Sequence, residues 1–181
     1  MNVLVAAASK HGATWEIACT IADTLKLYGV HADVAHIEDV DDITKYDAFV
    51  LGSAVYMDHW MDDATAFVRK HAAGLNTRPV WLFSSGPLGS PPHPHEGKSV
   101  DMRQITELIR VKEHRIFAGR LKKQRLHLPE KLIATMVHAP QGDFRNWSEI
   151  RAWAAGIVQL LQKDGRQKDT SRAMPLQGDP W

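Results

Sequence analysis

The sequence predicts an α/β domain built on a doubly wound, five-stranded parallel sheet. Three observations carry that expectation. Residues 3–25 open with an apolar strand, Val3 to Ala7, then a small polar turn, then a helix. In that helix Ile17, Ile21, Leu25 and Tyr28 recur at helical spacing. Ala48 to Gly52 is apolar throughout, as a strand covered on both faces is. Helical patterns separate the successive apolar runs, and strands that alternate with helices pack as a parallel sheet.

At 181 residues the chain suits one domain with a substantial core. A net charge of +1 creates no strong field toward nucleic acid or acidic membrane, so neither is an expected partner. The single cysteine, Cys19, excludes an intrachain disulfide framework and fits a reducing cytosol. Its mid-helix position suits packing better than reactivity. The first strand begins almost at once, so no signal peptide is expected. No stretch is apolar for long enough to span a bilayer. The expected location is cytoplasmic.

After the first helix, Gly29 is a natural stop. His31 to Ile37 alternates, with Ala32 and Val34 on one side, and forms the second strand. Glu38, Asp39, Asp41 and Asp42 make an acidic, solvated connection with only a short helix. Ala48 to Gly52 is the third strand, and Ser53 to Trp60 is the loop after it. Met61, Ala64, Phe67, Val68 and His71 mark the next helix. Pro79 to Phe83 is the fourth strand. Pro and Gly keep Ser84 to His95 out of helix and strand. A helix near Asp101 to Ile109 turns Ile105, Leu108 and Ile109 inward, and Arg115 to Gly119 is the fifth strand.

Residues 120–145 interrupt the pattern. Lys122, Lys123 and Arg125 precede Pro129, and Leu132, Ile133, Met136 and Val137 form an apolar stripe on a short helix. The last helix opens on Asn146 with Glu149 three positions on, a capping pattern. Ile150, Trp153, Ala154, Ile157 and Leu161 face the sheet. The domain is expected to occupy residues 1–162. The polar tail, 163–181, has no periodic apolar pattern and is expected to be loosely ordered.

The turn Ser9-Lys10-His11-Gly12-Ala13-Thr14 has two readings. As an anion site, it offers the unpartnered N–H groups and positive dipole end of a helix. Gly12 lets the backbone approach a ligand, Ser9 and Thr14 add hydroxyl donors, and Lys10 adds charge. As an ordinary βα turn, it would use Thr14 as a helix cap. It matches neither GxGxxG nor GxxxxGK[ST]. Gly97-Lys98-Ser99 imitates a Walker tail, but Pro92 stands where that motif needs its first glycine. Ligands of such sheets sit beyond the carboxyl ends of the strands, where the strand order reverses. The loops Ser9–Thr14, Ser53–Trp60 and Ser85–Gly89 therefore converge.

These residues resemble a flavodoxin, with strand order 2-1-3-4-5. The turn S-K-H-G-A-T is similar to the T-x-T-G-x-T loop that holds the FMN phosphate. The likeness is closer to the branch that includes the menaquinone-dependent protoporphyrinogen oxidases. That branch has a [ST]-x-x-G-x-T-x-x-I-A opening, matched by Ser9 to Ala18, and a G-[AS]-x-[IV] segment, matched by Gly52-Ser53-Ala54-Val55. It also has AG-x-L at strand five, then an insertion and a Trp-containing last helix, matched by Ala118-Gly119-Arg120-Leu121 and Trp147. The resemblance runs to about Leu161.

The resemblance implies FMN as cofactor. Ser9, Lys10, His11, Gly12, Ala13 and Thr14 would hold its phosphate. Ser53, Ala54, Val55 and Tyr56 would line one side of the isoalloxazine ring. Ser85, Gly86, Pro87, Leu88 and Gly89 would line the other. It also implies an oxidoreductase, either protoporphyrinogen-oxidase-like or a quinone-linked dehydrogenase, taking electrons from a small reductant to a quinone. The alternatives are an electron carrier for a redox protein partner, and a module of the same fold that binds a deazaflavin or no flavin. Carriers are strongly acidic around the ring, and this nearly neutral chain is not.

The chain departs from ordinary flavodoxins at Ser84-Ser85-Gly86-Pro87-Leu88-Gly89, which has neither the aromatic nor the acidic residues usual there. Tyr56 is then the best candidate to cover the ring, with Trp60 and Trp15 behind it. His59 is placed to move protons, and His11 to meet the phosphate. His93-Pro94-His95 has metal-like spacing but no third or fourth ligand, so no metal is expected. Residues 120–138 fit a cover for the sheet edge or a homodimer interface. The alternative for them is peripheral contact with the inner membrane face, beside a lipid-soluble quinone.

Overall fold

The structure is a computed structural model and describes residues 1–56, 59–86, 100–121 and 142–172. The chain starts with β1 (Asn2–Ala8), α1 (Ala13–Leu27), β2 (His31–His36) and a single 3-10 turn, Ile37–Asp39. Then come β3 (Ala48–Tyr56), the two-residue β4 (His59–Trp60), α2 (Asp62–Leu75) and β5 (Val80–Ser85). After them lie α3 (Val100–Leu108), β6 (Glu113–Phe117), β7 (Arg120–Leu121), β8 (Gly142–Asp143) and α4 (Trp147–Arg172).

The main strands run in the order β2-β1-β3-β5-β6, and every neighbouring pair is parallel. Counted without the short β4, that is the expected order 2-1-3-4-5. Strand alternation divides the core in two. Val3, Val5 and Ala7 face α1 and α4, whose Ile17, Ile21, Leu25, Trp153 and Ile157 bury against them. Leu4, Ala6 and Ala8 face the other way, against Phe67 and Val68 of α2 and Ile105 of α3. Sheet strands buried on both faces are what a crossover-connected parallel sheet requires. Gly29 follows α1 at φ 79°, a left-handed turn that only glycine enters without cost. Asn146 caps α4, its Oδ1 accepting the Glu149 N–H at 3.1 Å.

Several boundaries differ from the sequence expectation. Tyr28 follows the end of α1 and is exposed, because the helix has already turned into Gly29. Ile37 leaves β2 for the 3-10 turn. Ser53 to Tyr56 extend β3 instead of forming a loop, and His59–Trp60 pair back on them as an antiparallel hairpin. Ser84 and Ser85 close β5 rather than opening a loop, because both pair with the buried end of β6. The fifth sheet strand ends at Phe117, not Gly119. Leu108 is 41% exposed; Met102 takes its expected place beside Ile105 and Ile109. α4 runs through Arg172, beyond Lys163.

Pro87, Leu88 and Gly89, the pair His93 and His95, most of the 120–138 insertion and the last residues of the tail lie outside the described residues. The ends of that insertion are described: β7 and β8 pair antiparallel, Arg120 with Asp143 and Leu121 with Gly142.

Candidate functional site

After β1 the chain crosses to β2 on one side, while β3 lies on the other, so the order reverses at the carboxyl end of β1. That end carries the turn Ser9–Gly12 and the start of α1. Gly12 is the N-cap of α1, at φ 80° and ψ −6°. The Glu16 N–H is bonded to the Gly12 carbonyl at 3.1 Å, so the N–H groups just ahead of it have no intrahelical acceptor. Thr14 lies inside the first turn, almost wholly buried, and does not cap the helix. The threonine cap expected of an ordinary βα turn is therefore replaced by Gly12.

Ser9 Oγ is buried and, among the described residues, has no hydrogen-bond partner. A buried hydroxyl without a partner is costly unless a ligand or water completes it. With the left-handed Gly12 and the open helix N-terminus, it fits a phosphate oxygen. The turn thus has the donor set that an FMN phosphate needs.

Tyr56, at the end of β3, reaches this turn. Lys10 Nζ lies 5.6 Å from its ring centroid, and the His11 ring stands edge-on at 6.4 Å. Tyr56 is 38% exposed, whereas Ser53 and Ala54 are buried. Of those four residues, Val55 and Tyr56 have surface to offer a ligand. Ser53 serves the hairpin instead, its Oγ accepting the Met61 N–H at 2.9 Å and donating to the Ala54 carbonyl at 2.9 Å. Gly86, at φ 104°, sits where an added Cβ would come within 3.5 Å of the Val55 carbonyl oxygen. Its N–H is bonded to the Phe117 carbonyl. The ends of β1, β3 and β5 are thereby brought together as expected.

The other aromatic candidates have structural partners. Trp15 stacks on His36, with centroids 3.9 Å apart. Trp60 is buried and donates its Nε1–H to Ser84 Oγ at 2.8 Å. Ser84 Oγ also lies 2.8 Å from His114 Nε2. Burial pushes the His114 pKa down to about 4, so the ring is neutral at physiological pH. Burial likewise pushes the Cys19 thiol up, as befits a packing residue.

Sequence reasoning missed a four-membered charge cluster beside the turn. Glu16, in the first turn of α1, accepts both guanidinium nitrogens of Arg120, at 2.8 and 2.9 Å, and pairs with Arg145 at 2.8 Å. Arg145 is also bidentate to Asp143, with Nε at 2.7 Å, and bonds the Ala13 carbonyl at 3.2 Å. Its guanidinium lies 4.3 Å from the Trp147 ring, and its side chain is 1% exposed. Burial opposes charge on Glu16, but the hydrogen bonds from Arg120 and Arg145 outweigh it and hold the carboxyl below its ordinary range. The cluster ties the start of α1 to both ends of the 122–141 segment. The one local signal is Asp143-x-Arg145; its partners on α1, Ala13 and Glu16, are over a hundred positions away.

The chain belongs to the flavodoxin domain family, whose model matches residues 4–147. Protoporphyrinogen IX dehydrogenase [quinone] of Escherichia coli K12 is 24% identical over 177 residues, covering 90% of this chain and 98% of that protein. A flavodoxin from the domain Archaea superposes with a TM-score of 0.61 at 15% identity, over 90% of this chain and 99% of that one. Oxidised flavodoxin 1 from Bacillus cereus gives 0.59 at 16% identity, over 88% and 98%. The structural likenesses bear on the fold. Among the described residues, no helix is long and apolar enough to cross a membrane, and no cluster of His, Cys, Asp and Glu could hold a metal ion.

Proposed function

We propose that this chain binds FMN with its phosphate in the β1–α1 turn. We further propose that it is an oxidoreductase passing electrons from a small donor to a quinone. The observation that carries the cofactor is Ser9 Oγ, buried and without a partner among the described residues, beside the left-handed Gly12 at the open end of α1. When bound, FMN supplies reversible one- and two-electron chemistry that no side chain here offers.

The residues divide the work. Ser9 and the N–H groups of the turn hold the phosphate, with Lys10 adding charge at the surface. Tyr56 covers part of the ring, while Ser85 and Gly86 bound the opposite side at the end of β5. Pro87, Leu88 and Gly89 extend that side, following the family likeness. The matching E. coli protein is named as a quinone-linked protoporphyrinogen IX dehydrogenase, which supports a porphyrinogen donor and a quinone acceptor. Lys10 and His11 gather beside Tyr56, which suits a donor bearing carboxylates, as a porphyrinogen does.

Anaerobic turnover of protoporphyrinogen IX with menadione, using the FMN-loaded protein, tests this reading. Porphyrin formation that depends on both FMN and the quinone is expected. Reduction of a redox protein without any porphyrin formation would point instead to an electron carrier.

A further inference from the structure

The β3–β4 hairpin holds a titratable pair that phosphate binding does not use. Tyr56 and His59 are direct partners across this antiparallel hairpin, so their side chains rise on the same face. Tyr56 is the ring around which Lys10 and His11 gather. His59 therefore stands at the rim of the candidate ring site, with its side chain 59% exposed.

Its orientation is fixed from behind. His59 Nδ1 lies 3.0 Å from Oδ2 of Asp101, a carboxylate only 16% exposed in the first turn of α3. The same oxygen accepts the Trp60 N–H at 2.9 Å. An ionised carboxylate only accepts hydrogen bonds, so Nδ1 carries the hydrogen and Nε2 is left to take or give a proton. Among the described residues, the groups that face this imidazole are Asp101 from α3 and Tyr56 from β3, with Lys10 and His11 beyond the tyrosine ring. The backbone of the hairpin is held by other groups, Ser53 accepting the Met61 N–H and Asp101 the Trp60 N–H.

We propose that His59, aligned by Asp101, is the proton-transfer residue of the redox site. The proposal rests on the FMN oxidoreductase reading above. A quinone becomes a quinol by taking up two electrons and two protons. FMN, bound and reduced, would supply both electrons and one proton as a hydride equivalent and would itself be oxidised. The second proton passes from Nε2 of His59 to a quinone oxygen, breaking the N–H bond as the O–H bond forms. The imidazole then recovers its proton from water. Asp101 is a positioning residue, since it acts through His59.

The test mixes reduced, FMN-loaded protein with two acceptors: menadione, which takes up protons, and ferricyanide, which takes electrons alone. His59→Gln is expected to slow menadione reduction about 100-fold, the lower end of what a positioned acid contributes. Ferricyanide reduction and the FMN dissociation constant should stay unchanged. Asp101→Asn should slow menadione roughly 10-fold, a first-order cost for losing one orienting hydrogen bond. In the same variant, nitrogen NMR shifts of His59 should show the Nδ1–H form losing its dominance. Equal slowing with both acceptors, or with neither, overturns the proposal. Loss of FMN from His59→Gln also overturns it, since that would make His59 a binding residue. A wild-type protein that takes up no FMN refutes the flavin reading itself, and this proposal with it.

Discussion

His114 should make this fold sensitive to mild acid. The ring is half-buried at the end of the chain Trp60–Ser84–His114, with both links 2.8 Å long. Trp60 can only donate, so Ser84 Oγ accepts from it and has its own proton free for Nε2 of a neutral imidazole. Charging the ring would place a second donor against that hydroxyl in a poorly solvated site. Its pKa falls from 6.5 to about 4 in the folded chain. Above pH 6.5 neither the folded nor the unfolded chain protonates it, so the full stability is present. Between those values the unfolded chain takes a proton that the folded chain refuses, and stability is lost as pH falls. At about 1.4 kcal/mol per tenfold change in proton affinity, the whole loss is about 3 kcal/mol.

Urea unfolding of the wild type and of His114→Gln, each at pH 7 and near pH 4.5, measures the effect. Glutamine keeps an acceptor for Ser84 but cannot charge. Glu16, Asp33 and Asp143 are held below their ordinary carboxyl range in both proteins, so their acid sensitivity cancels in the comparison. The wild type should lose between about 2 and 3 kcal/mol more than the variant on acidification. Equal losses would refute the burial argument, as would NMR showing the His114 ring titrating near its ordinary value.

Other outcomes follow from the same geometry. Gly12→Val combined with Thr14→Ala should weaken FMN binding by about 100-fold or more, since the left-handed cap is lost together with the hydroxyl that the family likeness assigns to the phosphate. Riboflavin affinity should change little, and comparing the two titrations checks it. Gly52→Ala puts a Cβ 2.0 Å from Cζ of the fully buried Phe83, so overpacking should cost about 3 kcal/mol by urea unfolding. Phe83→Leu in the same chain should recover part of that cost, and strictly additive effects would contradict the clash. Arg145→Met removes the bidentate partner of Asp143 and leaves Glu16 with Arg120 alone; because both carboxylates are half-exposed, it should lower stability by about 1 to 2 kcal/mol in the same assay.

The sheet was legible because each strand and helix declares its own burial. Val3 to Ala7, Ala48 to Gly52 and the Ile150–Leu161 stripe needed no knowledge of their partners. Strand ends were less legible. Ser53, Ser84 and Ser85 are polar residues in strands because neighbours pair with their backbones, and Met61 and Trp60 bond the hydroxyls of Ser53 and Ser84. Ile105, Leu108 and Ile109 are the apolar candidates around the end of α3, and the core takes Ile105 and Ile109 with Met102 while Leu108 stays exposed.

The site divides in the same way. The phosphate turn is one contiguous segment, so Ser9, Gly12 and the helix start could be read directly. Tyr56 came from the family likeness, and the structure sets it beside Lys10 and His11. Asp101, Ser84–His114 and the Arg145 cluster depend on contacts between residues far apart in the chain. The Arg145 to Ala13 bond, for instance, spans 132 positions. Such pairs follow from the sheet order and have no local signature.

The most direct measurement is the absorption spectrum of the purified protein, with mass spectrometry of whatever heat releases and a titration of the stripped protein with FMN and riboflavin. The account predicts twin visible flavin bands, release of FMN, and FMN binding at least about 100-fold tighter than riboflavin, as a phosphate held by Ser9 and the α1 N-terminus demands. A colourless protein that binds neither flavin, or one that binds both equally, would contradict the assignment of the β1–α1 turn.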